Sequence, residues 1–100
     1  MNMLNSLIIE GRLTKEVELS QTENGNAVAK SVVASSRYIV TEEGERKEEV
    51  TSVEFVCFGK MAEDLERISK YRKGVRVVGR LKNQGDKIIV IAEHIEYKAK

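Results

Sequence analysis

From Met61 to Ile68 the apolar residues fall three to four positions apart, at Met61, Ala62, Leu65 and Ile68; the apolar stretches on either side alternate or run as short β-branched blocks. A period near 3.6 specifies one amphipathic helix, and a period of two specifies strands. The chain is therefore expected to be all-β, with a single helix between its third and fourth strands. Leu7–Leu13 reads as the first strand, with Leu7, Ile9, Gly11 and Leu13 on one face and Gly11 permitting a bend or bulge. Val17–Ser20 is a short continuation, and Glu23–Asn26 is a turn, because Asn and Gly tolerate positive φ. The second strand runs from Ala27 to Ile39, and Thr41–Glu49, dense in charge and holding Gly44, is an exposed hairpin tip. Val50–Phe58 is the third strand. The helix should end near Lys70 to Lys73, with Gly74 as a left-handed cap or loop residue. Val75–Leu81 and Lys87–Ala92 close the chain through Lys82–Asp86, with Gly85 at the tip.

A length of 100 residues suits one domain spanning 1–100. No apolar run approaches the ~20 residues that a membrane span needs. The N-terminal residues show neither a basic patch nor a small-residue cleavage site, so a soluble, cytoplasmic protein with no membrane association is expected. The single cysteine, Cys57, lies within Val53-Glu-Phe-Val-Cys-Phe58 and is expected to be a buried thiol. The net charge of +1 conceals segregation: 1–41 is neutral, 42–59 carries −4 and 60–100 carries +5. Such a chain can present a basic face away from an acidic loop, although charge runs also serve simply to solvate a surface.

Three strands, a helix and two further strands, uninterrupted by proline, follow the order of the OB-fold, a five-stranded Greek-key barrel whose curved face suits single strands of nucleic acid. Four segments carry a family resemblance: Gly25-Asn-Ala-Val-Ala-Lys-Ser-Val-Val-Ala-Ser-Ser-Arg37, Asn5-Ser-Leu-Ile-Ile-Glu-Gly-Arg-Leu13, Phe58-Gly-Lys-Met-Ala-Glu63, and Gly74 to Leu81. In order and spacing they resemble the bacterial single-stranded DNA-binding proteins across nearly the whole chain. That resemblance implies sequence-independent binding of single-stranded DNA in replication, recombination and repair, by phosphate contacts and base stacking. No catalysis and no cofactor are implied.

Residue by residue, the resemblance puts Asn5, Ser6 and Arg12 on the DNA path at outward positions of the first strand, Arg37 after the second, Lys60 after the Phe-Gly pair and Lys82 at the opening of the last hairpin. Arg80 joins them because it shares a strand face with Lys82 and Arg76. Phe58 matches a phenylalanine that stacks on bases, and Phe55, on an apolar face, belongs to the core. Tyr38 or Ile39 takes the aromatic position that ends the second strand. Where relatives carry a further aromatic this chain has Ser52, and the basic, aromatic finger between the last strands shrinks to Lys82 through Lys87. Both departures imply weaker binding or a shorter footprint.

The resemblance also implies self-association as a homodimer or homotetramer through Met3 to Ile9, and partnership with replication and repair proteins in the bacterial nucleoid. Relatives continue into a flexible tail with an acidic tip; this chain closes on Tyr97-Lys-Ala-Lys100, as a DNA-binding domain alone or a tailless relative would. A related barrel family, the primosomal replication-restart proteins, is an alternative that the segment Ile89 to Tyr97 also resembles. A third reading is an OB-fold protein-interaction module presenting Glu42 to Glu49. An enzyme has less support. Cys57 and His94 are single copies outside any nucleophile–base or metal motif, and Gly74 and Gly79 do not precede a helix as phosphate loops do.

Overall fold

Alternation in the sequence becomes six strands and one helix in the computed structural model, which describes residues 1–98. The strands are β1 (Leu7–Leu13), β2 (Glu18–Gln21), β3 (Ala27–Val40), β4 (Arg46–Phe58), β5 (Gly74–Gln84) and β6 (Lys87–Tyr97), with α1 (Lys60–Ile68) between β4 and β5. Both β1 and β2 run antiparallel to β3. Leu13 pairs with Val33 and Glu18 with Lys30, so the first chain advances five residues where β3 advances three. The two extra residues make a kink. There the Ser31 hydroxyl, buried in the wall, donates to the Lys15 carbonyl at 2.8 Å and satisfies an acceptor that the ladder leaves free. β1 and β2 are thus one bent strand, and the barrel has five.

The barrel closes in the order β1-β5-β6-β4-β3 and back to β1, with β4 and β6 parallel and the other pairs antiparallel. This is the OB-fold. Closure brings backbones very near one another at two glycines. A Cβ on Gly11 would lie 2.0 Å from the Ala34 carbonyl oxygen, and one on Gly79 would lie 2.1 Å from that of Ile91. Gly11 therefore serves a close crossing, and the chain bends at the residue 14–17 kink instead.

Inside the barrel Leu13, Ala29, Val33, Phe55, Cys57, Val75, Val77, Val90 and Ala92 are buried, and α1 covers one end with Ala62 and Leu65. Each large side chain removed from water here is worth about 1.5–3 kcal/mol. Burial also pushes the Cys57 thiol up to about 11 and, with Cys57 and Asp64 nearby, the Tyr97 phenol up to about 12.

Several boundaries differ from the sequence reading. The helix stops at Ile68 with right-handed Ser69 at its C-cap, and Gly74 opens β5 without a positive φ, its carbonyl accepting from Lys98 N–H at 2.9 Å. The acidic tip is shorter than 41–49, because β4 already begins at Arg46. β5 continues to Gln84, and β6 runs past Ala92 to Tyr97. Of the basic ending, residues 99 and 100 lie outside the described residues. β3 and β4 stay paired from Val28↔Phe58 to Val40↔Arg46, well beyond the barrel wall. The outer half projects as an arm, which accounts for extents of 55 × 39 × 23 Å and a radius of gyration of 15.2 Å, against about 13 Å for a compact domain of this length.

Candidate nucleic-acid interface

Strand parity decides which side chains are available. On β3 and β4 the odd positions Ala29, Val33, Phe55 and Cys57 fill the barrel, so even positions face outward. Lys30 then stands beside Val56, and Val28 beside Phe58. On the next strands Ile91 pairs with Arg80 and Ile89 with Lys82. Val56, Ile89 and Ile91 form a small apolar cluster of their own, 4–8% exposed, separate from the barrel core. A groove of about 160 Å³ lies over Val56 and Ile89, with Lys15, Lys30 and Lys87 in its lining beside Glu16, Glu18 and Glu54. On the same outward face Phe58 ends β4 with 48% of its surface exposed. An apolar floor, an accessible ring and surrounding cations form a surface complementary to flat rings carried on a polyanion.

The nine residues singled out from the sequence fall into groups. Phe58, Arg80 and Lys82 share the outward face around the floor. Ser6 joins them opposite Arg80, one step beyond the Leu7↔Gly79 pair. Asn5 plays a structural part, since its side-chain amide donates to the Leu81 carbonyl at 2.9 Å and accepts from the Leu81 N–H at 3.0 Å, extending the β1–β5 ladder. Arg12 lies at the other end of β1, between Ala34 and Gly74. Lys60 opens α1 directly after the Phe58–Gly59 corner and pairs with Asp64 at 3.2 Å. Hydrogen bonds from Arg67 and then Lys60 hold the Asp64 carboxyl below the usual range.

Arg37 and Tyr38 sit out on the arm, facing opposite sides, with Arg37 opposite Glu49. Tyr38 lies ten residues along β3 from Val28, the partner of Phe58, or about 33 Å at the usual strand rise. The Arg46 guanidinium stacks over its ring, 4.9 Å from the centroid. Between the two aromatics Ser52 faces Ala34, so the intervening surface is small and polar.

Lys30, Lys87, Arg46 and the apolar floor were not singled out from the sequence. Lys30 was legible, being the outward residue between inward Ala29 and Ser31. Arg46 was not, since its contact with Tyr38 is a cross-strand diagonal that requires the register. Charge on the outward face is partly neutralised: Arg80 pairs with Glu93 and Lys87 with Glu54, each at 3.2 Å. Among the described residues Lys30, Lys82, Arg12 and Arg37 make no ion pair.

Residues 4–88 match the family model described as the single-strand binding protein family. Single-stranded DNA-binding protein A of Bacillus subtilis is 34% identical over 104 residues, covering 95% of this chain and 59% of that protein. A single-stranded DNA-binding protein of Wolinella succinogenes is 34% identical over 79 residues, 79% of this chain and 49% of the relative. The chain spans about half the length of the curated relatives it matches. Among solved structures, a deletion mutant of the Thermus aquaticus single-stranded DNA-binding protein superposes with a TM-score of 0.79 at 25% identity, over 95% of this chain and 50% of that one. A Plasmodium falciparum single-stranded DNA-binding protein in complex with single-stranded DNA shares the fold, with a TM-score of 0.79 at 22% identity and coverage of 98% and 97%.

Proposed function

The chain belongs to the single-strand binding protein family, and from that premise we propose that it binds single-stranded DNA without regard to base sequence, as a non-catalytic protein of replication, recombination and repair. The observation that carries this reading is the outward face where half-exposed Phe58 stands beside the Val56–Ile89–Ile91 floor, with Lys30, Arg80 and Lys82 around it. A base stacks on Phe58 because every base has a π-face, which makes the contact tolerant of sequence. Lys30, Lys82 and Arg80 take phosphates, with Lys60, Ser6 and Arg12 continuing the path. Tyr38, backed by Arg46, offers a second platform on the arm, and Arg37 adds a cation there. Asn5 contributes by holding the segment that carries Ser6. With two aromatics on this face and Ser52 between them, the footprint is short.

The 100 residues act as one domain, and two or four copies assemble through β1. That strand pairs with β5 along its length but with β3 only at Arg12 and Leu13, so among the described residues the other edge of residues 7–10 has no strand partner, and Met1, Met3, Leu4 and Ile8 are exposed nearby. Replication and repair proteins are its partners in the bacterial cytoplasm. Fluorescence anisotropy of labelled oligo-dT tests the core of this reading. Binding should weaken with salt, resist competition by duplex and drop about tenfold or more in Phe58→Ala. No binding at low salt would overturn it.

A further inference from the structure

The outward face carries its own competitors for the phosphates it is proposed to hold. β6 has an irregularity opposite Val78 and Gly79: Val78 pairs with His94 and Gly79 with Ala92, leaving Glu93 as the extra residue. A bulge of this kind re-aims a side chain. Here Glu93 and His94 are both exposed, and the Glu93 carboxylate reaches Arg80, with Oε2 3.2 Å from Nη1. Across the floor Glu54 does the same to Lys87, Oε1 to Nζ at 3.2 Å, and Glu54 also stands diagonally from Lys30. Each pair has both side chains about half exposed to solvent.

Building on the single-strand-binding reading, we propose that Glu93 and Glu54 are affinity-limiting residues, each occupying the cation that a phosphate would otherwise engage. A phosphate reaching Arg80 or Lys87 must displace the carboxylate or lie within its field, and like charges brought together in a groove repel. Lys30 and Lys82, without ion partners among the described residues, are then the cations that bind first. Arg80 and Lys87 engage only as their pairs open. The groove lining itself is balanced, with Lys15, Lys30 and Lys87 against Glu16, Glu18 and Glu54, in keeping with a chain whose net charge is only +1.

The test titrates labelled oligo-dT against the parent, Glu93→Gln, Glu54→Gln, the double variant and the charge-preserving Glu93→Asp, at low and high salt, with thermal melts confirming that each is folded. Each Gln variant should bind about two- to fivefold tighter at low salt, the range that exposed ion pairs support, and the double about tenfold tighter if the two sites act independently. The gain should shrink at high salt, where a Debye length of about 3 Å at 1 M screens the repulsion. Glu93→Asp should stay near the parent. Unchanged or weaker binding in the Gln variants, with a parent that binds, would overturn this inference alone and make Glu93 a residue that merely positions Arg80. Equal tightening in Glu93→Asp would also overturn it, by assigning the effect to shape. Failure of every protein to bind would remove the proposed function and this inference together.

Discussion

β3 and β4 are one ladder with two characters. Near the barrel, Val33, Phe55 and Cys57 have no exposed surface; on the arm, Tyr38, Val40 and Val50 are 63%, 69% and 56% exposed. Pairing is uninterrupted from Val28↔Phe58 to Val40↔Arg46, although β4 changes from Phe55-Val-Cys-Phe58 in the barrel to Arg46-Lys-Glu-Glu49 on the arm. The difference is the second layer: barrel strands bury one face against the opposite wall, whereas the arm has solvent on both faces. An isolated two-stranded ribbon is marginal in water. This one is held by its continuity with the barrel, by the Ser36–Glu48 hydrogen bond and by the Arg46–Tyr38 stack. The half with a second layer supplies the stability, and the half without one depends on it.

The sharpest way to break this comparison is to cut the same ladder in both halves. Phe55→Ala should cost about 3–5 kcal/mol in denaturant unfolding, much of a small domain's stability, while Val50→Ala should stay within about 0.5 kcal/mol. Similar costs at the two sites would show that the arm is not energetically separate. Gly11→Ala comes next. Its Cβ would collide with the Ala34 backbone where the barrel closes, at a cost of about 2–4 kcal/mol, and a neutral result would mean that closure has slack.

Phe58→Ala should cost binding rather than folding. Oligo-dT affinity should fall by about 1–3 kcal/mol, with a melting temperature close to that of the parent because the ring is already half exposed. Alkaline pH should probe the barrel alone. Burial raises the Cys57 thiol from 9.0 to about 11 and the Tyr97 phenol from 10.0 to about 12. Both groups favour the folded state fully at pH below 9, and that advantage is lost as pH rises through 11 and 12. Unfolding free energy should fall by about 3–4 kcal/mol between pH 8 and 11, and Cys57→Ala should flatten the onset. Tyr38→Ala should produce the smallest change, under about 1 kcal/mol in affinity, because Arg46 already covers one face of its ring.

Which features could be read from residues alone follows from how local their causes are. The helix was legible because Met61, Leu65 and Ile68 repeat at its own period, and the outward placement of Phe58 follows from the parity that puts Phe55 and Cys57 inside. Arg46 to Glu49 read as a loop because both faces of that strand meet solvent, which erases the alternation that marks a strand. Barrel closure at Gly11 depends on Ala34, more than twenty residues away, and nothing near Gly11 announces it. Asn5 had the residue type and position of a ligand contact, yet its amide completes a backbone ladder with Leu81, a role visible only once β1 and β5 are paired. The bulge that turns Glu93 outward is likewise a property of two strands, not one.

The DNA surface proposed above is the outward face of β3, β4, β5 and β6 over the barrel. Amide chemical-shift mapping on ¹⁵N-labelled protein titrated with a short oligo-dT tests it most directly. The largest shifts are expected at Lys30, Val56, Phe58, Arg80, Lys82 and Ile91, with smaller ones at Tyr38 and Arg46 on the arm. Shifts concentrated on α1 and the 69–73 turn, with that outward face unmoved, would contradict it.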